Sequence, residues 1–260
     1  IDVLNGPAVT ALNKEGIEVV DAKLILEQAR VIKSPDELIC MKAAIEVAEK
    51  GVSKMRSDLK PGMTEDELWS ILHKTNIEHG GEWIECRILS SGVRTNPWMQ
   101  ESSNKIIQSG EIVSFDTDMV GPYGYCADIS RTFVEGNKFN DNQKKLYLMA
   151  VEQINYNSRL IKPGISFKEF TEKSWVLPEE YYGNRYSVMV HGIGLCDEWP
   201  AIRYPTDGGE RSGIFEKNMT ITVESYIGKV GGNEGVKLEQ QYLVGQNGLE
   251  LMSHQPLENI

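Results

Sequence analysis

The chain has 260 residues, enough for one large domain with a substantial core or for two small ones, and its formal net charge is −11. That charge excludes nucleic acid as an expected partner, because neutralising phosphates takes clustered Lys and Arg, and no such cluster occurs. No apolar run has membrane-spanning length and no signal peptide opens the sequence, so no membrane partner is expected; four scattered cysteines, Cys40, Cys86, Cys126 and Cys196, form no CxxC pair and point to a reducing cytoplasm.

In chain order, residues 1–33 read as the tail of another domain or a linker, with IEVVDA (Ile17 to Ala22) as a short strand. The first residue is Ile1 rather than Met, which predicts an upstream segment that has been removed. Residues 34–260 read as the catalytic domain. Capping pairs predict four helix starts, at Ser34 with Glu37, Thr64 with Glu67, Asn140 with Gln143, and Ser166 with Glu169. The first helix runs to about Met55 with Met41, Ala44, Ile45, Ala48 and Val52 on one face, and the third carries Leu146, Met149, Ala150 and Ile154 in the same way.

The order of these signals is a repeat. LKPGMTEDELW (Leu59 to Trp69) matches LIKPGISFKEF (Leu160 to Phe170), and each is followed by strand-like segments that carry acids. EIVSFDTDMV and YGYCADISRTFVEG belong to the first half, NMTITVESYIG and EGVKLEQQYLVG to the second, with Phe115-Asp116 and Val223-Glu224 in corresponding places. The predicted architecture is α+β, two pseudo-symmetric halves with acids pointing into the centre.

Asp116 and Asp118 are two apart in a predicted strand and so share a face, and a second strand brings Asp128 beside them. Glu224 and Glu239 come from the second half, and His191 lies between in MVHGIGLCDEWP. One acid on a strand is ordinarily a solvated edge residue, and one histidine is ordinarily a satisfied polar group. Together in a core they repel unless cations neutralise them, which points to a metal centre. Oxygen ligands with one imidazole suit Mn, Fe, Co or Zn.

GYCADISRTF, HGIGL, TVES and KLEQQ give the region from about Ser34 to Val244 a resemblance to the pita-bread metalloenzymes, the class of methionine aminopeptidase, prolidase and creatinase. The resemblance implies a pita-bread fold with a curved, mostly antiparallel sheet around a dinuclear site. It implies Asp116, Asp128, His191, Glu224 and Glu239 as ligands. The departures matter as much. The histidine that peptidases of this class place before Glu-x-Pro is replaced here by Asp197, and the upstream histidine expected near SSGVRTNPWMQESSN is missing. Asp118 stands where the peptidases have glycine.

DTD, with Tyr186, His191 and Asp197 in YSVMVHGIGLCDEWP, resembles the dimethylsulfoniopropionate lyases of the DddP type. That resemblance implies β-elimination of dimethylsulfoniopropionate to dimethyl sulfide and acrylate, with Asp118 as a sixth ligand, Asp197 as base and Tyr186 lining the pocket. Trp98 and Tyr125 are further aromatic candidates for the sulfonium, with core packing as their competing role. The implied cofactors are two divalent or trivalent transition-metal ions, iron first, with Mn, Co or Zn as alternatives; the implied assembly is a homodimer. Two other readings stand beside it: a dinuclear hydrolase of the Xaa-Pro aminopeptidase or prolidase type, and an inactive pita-bread binding module.

Overall fold

In the computed structural model, which describes residues 4–209 and 212–260, helices start at the capping signals. Two short helices, α1 (Gly6–Lys14) and α2 (Lys23–Ala29), precede α3 (Pro35–Asp58) and α4 (Glu65–Glu78). Ser34 and Thr64 each accept from the N–H three residues on, and Glu37 and Glu67 reach back to accept from the cap N–H. Short strands follow: β1 (Trp83–Ile84), β2 (Leu89–Ser91), β3 (Ile112–Phe115), β4 (Met119–Val120), β5 (Cys126–Ala127) and β6 (Arg131–Val134). Asn140 and Gln143 cap α5 (Asp141–Leu160) reciprocally, whereas α6 (Phe167–Lys173) has the Ser166 hydroxyl alone, because the Glu169 carboxylate accepts from Lys173. The rest is α7 (Glu179–Tyr182), β7 (Val188–Ile193), β8 (Asp197–Arg203), β9 (Thr220–Gly228), β10 (Gly235–Val244) and β11 (Leu249–Leu251). The strand expected at IEVVDA does not form; residues 17–22 connect α1 to α2 with Ile17 and Val20 exposed, outside any ladder that would satisfy a strand's backbone.

The repeat is structural. After α3 and after α5 the chain makes the same turn, with Gly62 at φ 90° and Gly164 at φ 92°, a region that favours glycine. The Gly62 N–H donates to the Ile107 carbonyl (3.1 Å) and the Gly164 N–H to that of Phe215 (2.9 Å), while Ile107 and Phe215 donate back to Met63 and Ile165. Ile107 lies nine residues before Asp116, and Phe215 nine before Glu224. The two acids therefore occupy one place in a repeated unit.

All strand pairs are antiparallel, in a five-stranded sheet ordered β11-β10-β9-β7-β8 and two three-stranded sheets, β2-β3-β6 and β1-β4-β5. Helix α5 packs on β9 and β10, whose alternate residues Ile221, Val223, Val236 and Leu238 join its core. By the two-residue period of a strand, Glu224, Lys237 and Glu239 face the other way, toward the first half. Strand β10 packs there on β3 and β6, and the Glu239 N–H donates to the Ser130 carbonyl at 3.1 Å.

Arg131, fully buried, joins the halves. Its Nη1 donates to the carbonyls of Ser130 (2.9 Å) and Glu239 (2.6 Å), and its Nη2 to Gln240 Oε1 (2.8 Å) and to the Gln255 carbonyl. Arg131→Met strands these acceptors away from water, and each such loss is worth about 1–3 kcal/mol. Urea denaturation is expected to show a stability loss of at least about 3 kcal/mol for the variant; an unchanged midpoint would mean that sheet packing alone joins the halves.

Candidate metal centre

Glu224 and Glu239 are direct cross-strand partners on β9 and β10, which brings their carboxylates together without any loop. The first half delivers its acids differently from the expectation. The segment DTD is not strand: β3 ends at Phe115, Asp118 has φ 34°, and the Thr117 hydroxyl takes over the ladder by donating to the Ala127 carbonyl (2.8 Å) and accepting from the Ile129 N–H (2.9 Å). Asp116 and Asp118 thus reach the centre from a break between strands, and the same-face argument for them is corrected. His191 enters from β7, the neighbour of β9. Its Nδ1 lies 2.9 Å from the Gly192 carbonyl and its Nε2 stands 3.3 Å from Glu224 Oε1, 3.3 Å from Glu239 Oε1 and 3.4 Å from Asp128 Oδ2; an Nδ1–H donated to that carbonyl would leave the Nε2 lone pair for an ion held among these acids.

Three overlapping groups of side chains place their ligand atoms close enough to hold an ion: Asp116, Asp128 and Glu239; His191, Glu224 and Glu239; and Asp128, His191 and Asp197. Burial pushes the carboxyls of Asp116 and Asp128 up, with Glu239 adding repulsion to both, and raises Glu224 to about 8. Burial acts the same way on Glu239, but Lys237 and His191 outweigh it and hold that carboxyl low. Burial would push the His191 ring down, and the surrounding acids, Asp197 foremost, hold it well above its ordinary value instead. Asp128 Oδ1, Glu224 Oε1 and Glu239 Oε1 are buried with no hydrogen bond. Acceptors orphaned in this number, around one imidazole, fit cations as their missing partners.

The other expected residues divide into two sets. Asp118 borders the cage: its carboxylate accepts from Cys86 Sγ at 2.6 Å, and burial, then repulsion from Asp116 and Asp197, raises it well above its ordinary value. Asp197, first residue of β8, stands at the mouth with Oδ1 3.8 Å from His191 Nδ1, its side chain 47% exposed. Tyr186, His191 and Asp197 line one cleft of about 360 Å³ together with Glu27 and Arg203. Trp98 lies behind the cage, its ring 5.8 Å from that of Tyr226 and 5.8 Å from Lys237 Nζ. Tyr125 is not brought to the cleft: its hydroxyl donates to Glu37 Oε1 (3.2 Å) and its ring packs on the first-half core.

Residues 39–246 match metallopeptidase family M24. The chain belongs to that family. The M24 chain is 41% identical over 257 residues to the dimethylsulfoniopropionate lyase DddP of Roseovarius nubinhibens, a match that takes in 95% of this chain and 57% of the lyase. It thus spans little more than half the length of that curated relative. Among solved structures it superposes on the Xaa-Pro dipeptidase from Bacillus anthracis with a TM-score of 0.85 and 26% identity, covering all of this chain and 72% of the dipeptidase. The prolidase from Pyrococcus furiosus gives the same TM-score at 24% identity, over 98% of this chain and 74% of the other. The pita-bread fold expected from the motifs is the fold of this M24 chain.

Two residues of the M24 site escaped the sequence reading. Lys237 is one, and the strand period could have found it, because it lies two residues before Glu239 on a continuous strand. Glu198 is the other. Buried, it accepts from Arg30 Nε (2.6 Å), Lys33 Nζ (3.3 Å) and the Leu195 N–H (3.0 Å), tying the chain after α2 to the turn that carries Asp197. The Glu-x-Pro motif marks its position, but its cationic partners lie 165 and 168 residues away, so no local pattern shows its role. Glu198→Ala leaves two cations without their carboxylate, one of them buried, and is expected to lower stability by about 3 kcal/mol while ion uptake persists. Thermal melts and metal analysis check both halves of that statement.

Proposed function

We propose that this chain carries the catalytic unit of a metal-dependent lyase that releases dimethyl sulfide and acrylate from dimethylsulfoniopropionate. The observation that carries the reading is Asp197, an acid beside His191 at the mouth of an M24 cage, where the peptidase resemblance calls for histidine. No second imidazole comes near: His73 and His79 belong to α4 and its C-terminal end, and the His254 N–H donates to Glu49. The 41% identity to a DddP lyase supports the same reading.

Ions held by Asp116, Asp128, His191, Glu224 and Glu239 would supply Lewis acidity toward the substrate carboxylate and would stabilise negative charge on the neighbouring carbon. The protein does the rest. Asp197 takes the proton from the carbon next to the carboxylate; that electron pair forms the carbon–carbon double bond, and the carbon–sulfur pair leaves with dimethyl sulfide. Its exposure lets Asp197 pass the proton to water and reset. Glu85 and Asp118 lie close enough to Asp197 to repel it and, with Glu27 and Glu198, outnumber the cations Lys23 and Arg203 of the same cleft, a balance that favours a cationic sulfonium over a neutral group. The Tyr186 face lies within the cleft and suits a cation without hydrogen-bond donors.

Asp116, Asp118, Asp128, His191, Glu224 and Glu239 are the proposed ligands, with iron the first choice by resemblance. Residues 34–260 form the proposed catalytic unit and residues 1–33 the tail of an N-terminal domain or a linker. A homodimer is the proposed working form, and four free cysteines fit a cytoplasmic home. The hydrolase reading keeps one point in its favour, the likeness to the Bacillus anthracis dipeptidase.

Incubation with dimethylsulfoniopropionate and with Xaa-Pro dipeptides, before and after chelation, separates the two activities by headspace dimethyl sulfide against released amino acid. Chelator-sensitive gas release is expected. Asp197→Asn should retain its ions and lose about 10²–10⁴-fold in rate, the usual contribution of a general base. Elimination at the original rate in that variant would remove Asp197 from the role.

A further inference from the structure

Lys237 is fully buried at the centre of the acid cage, and the mechanism above gives it no task. Its Nζ, with three N–H donors, lies within hydrogen-bond distance of four acceptors, Asp116 Oδ2 (3.0 Å), Glu224 Oε2 (2.8 Å), Glu239 Oε2 (2.9 Å) and Ser130 Oγ (2.8 Å). The single Ser130 O–H proton has two carboxylates in reach, Asp116 Oδ1 (2.6 Å) and Glu239 Oε2 (2.8 Å). The rings of Tyr186 and Trp98 stand 5.2 and 5.8 Å from the ammonium. A solvated lysine needs none of these contacts.

The oxygens it takes are the telling detail. On both glutamates Lys237 holds Oε2, and the two Oε1 atoms are those left without a hydrogen bond beside His191 Nε2. We infer that Lys237 is a positioning residue, a resident cation that holds the ligand carboxylates converged and turned with one oxygen outward while ions are absent, and that it opposes the ions by its own charge. Taken as ionised, Asp116, Asp118, Asp128, Glu224 and Glu239 with one ammonium leave four negative charges, the complement of two divalent ions. Without Lys237 five like charges would share a buried space, and the cage would open or take up protons.

This inference rests on the metal-centre reading but not on the identity of the substrate, so its test needs no activity. Melts of the whole chain, metal-free and with excess Mn²⁺, compare the wild type with Lys237→Met and Lys237→Arg. Metal-free Lys237→Met should melt about 10 °C below the metal-free wild type, the effect of breaking a buried ion pair in a chain of this size. Mn²⁺ should close most of that gap, because its charge replaces the ammonium. The thermodynamic cycle then requires Lys237→Met to bind Mn²⁺ at least about tenfold more tightly by calorimetry. Lys237→Arg, with its charge kept, should respond as the wild type does. A variant that folds only with Mn²⁺ present supports the role. A gap of equal size with and without Mn²⁺ overturns it in favour of packing. A wild type that takes up no ion overturns the metal-centre reading along with it.

Discussion

Like charges confined in a space that excludes water are the constraint around which this chain is built. Asp116, Asp128, Glu224 and Glu239 are all buried, and desolvation acts to raise every one of them. Folding alone gives such a cluster no reason to exist, since apolar side chains of the same size would pack there more favourably. The architecture supplies convergence from rigid elements: paired strands for the glutamates, a ladder break for the aspartates, and β7 for the imidazole. Arg131 adds a fourth support by fixing the backbone carbonyl of Glu239 from the opposite half. The cage is therefore positioned by backbone hydrogen bonds, and its side chains need only short reaches.

The fold was legible because its signals are local and repeated. Ser34 with Glu37 and Thr64 with Glu67 show capping boxes within four residues of sequence, and two Lys-Pro-Gly turns recur with the same backbone sign at Gly62 and Gly164. The ligand candidates were legible for the same reason, through acids at matching places in the two halves. The strand period failed where it was applied and would have held where it was not. Asp116 and Asp118 are two apart, but Thr117 spends its hydroxyl on the neighbouring strand's backbone and ends the ladder between them. Lys237 and Glu239 are two apart on an unbroken strand and do share a face. A lysine before a glutamate reads as a surface pair until the fold shows both buried.

Tyr125 and Trp98 mark a different limit. Aromatic residues near a motif say nothing about which way the ring turns, and packing decided both: Tyr125 reaches Glu37 at the start of α3, and Trp98 backs Lys237 from behind the cage. The role of Glu198, though its Glu-x-Pro motif is plain in the sequence, is hidden for a third reason. Its meaning lies in Arg30 and Lys33, which only the tertiary structure brings to it.

The contrast between cage and mouth bears on the chemistry itself. Hydrolysis of a peptide needs a group to help expel the amine, and imidazole does this near neutrality because it can both take and give a proton. Elimination of a sulfonium expels a neutral thioether that needs no proton at all. One acid that accepts a proton and loses it to solvent would then be sufficient, and Asp197, half out of the cleft where water reaches it, is placed for the role proposed for it. Behind it the environment reverses: the Lys237 ammonium has no exposed surface, and the aromatic faces beside it are already turned toward a cation. In the proposed reaction a sulfonium would meet an acidic rim with Tyr186 lining the cleft, while the Lys237 charge behind it is already met by three carboxylates. The substrate's carboxylate end would go to the ions of the cage and its sulfonium end would stay at the rim, so that cage and mouth together would set the direction in which the molecule lies.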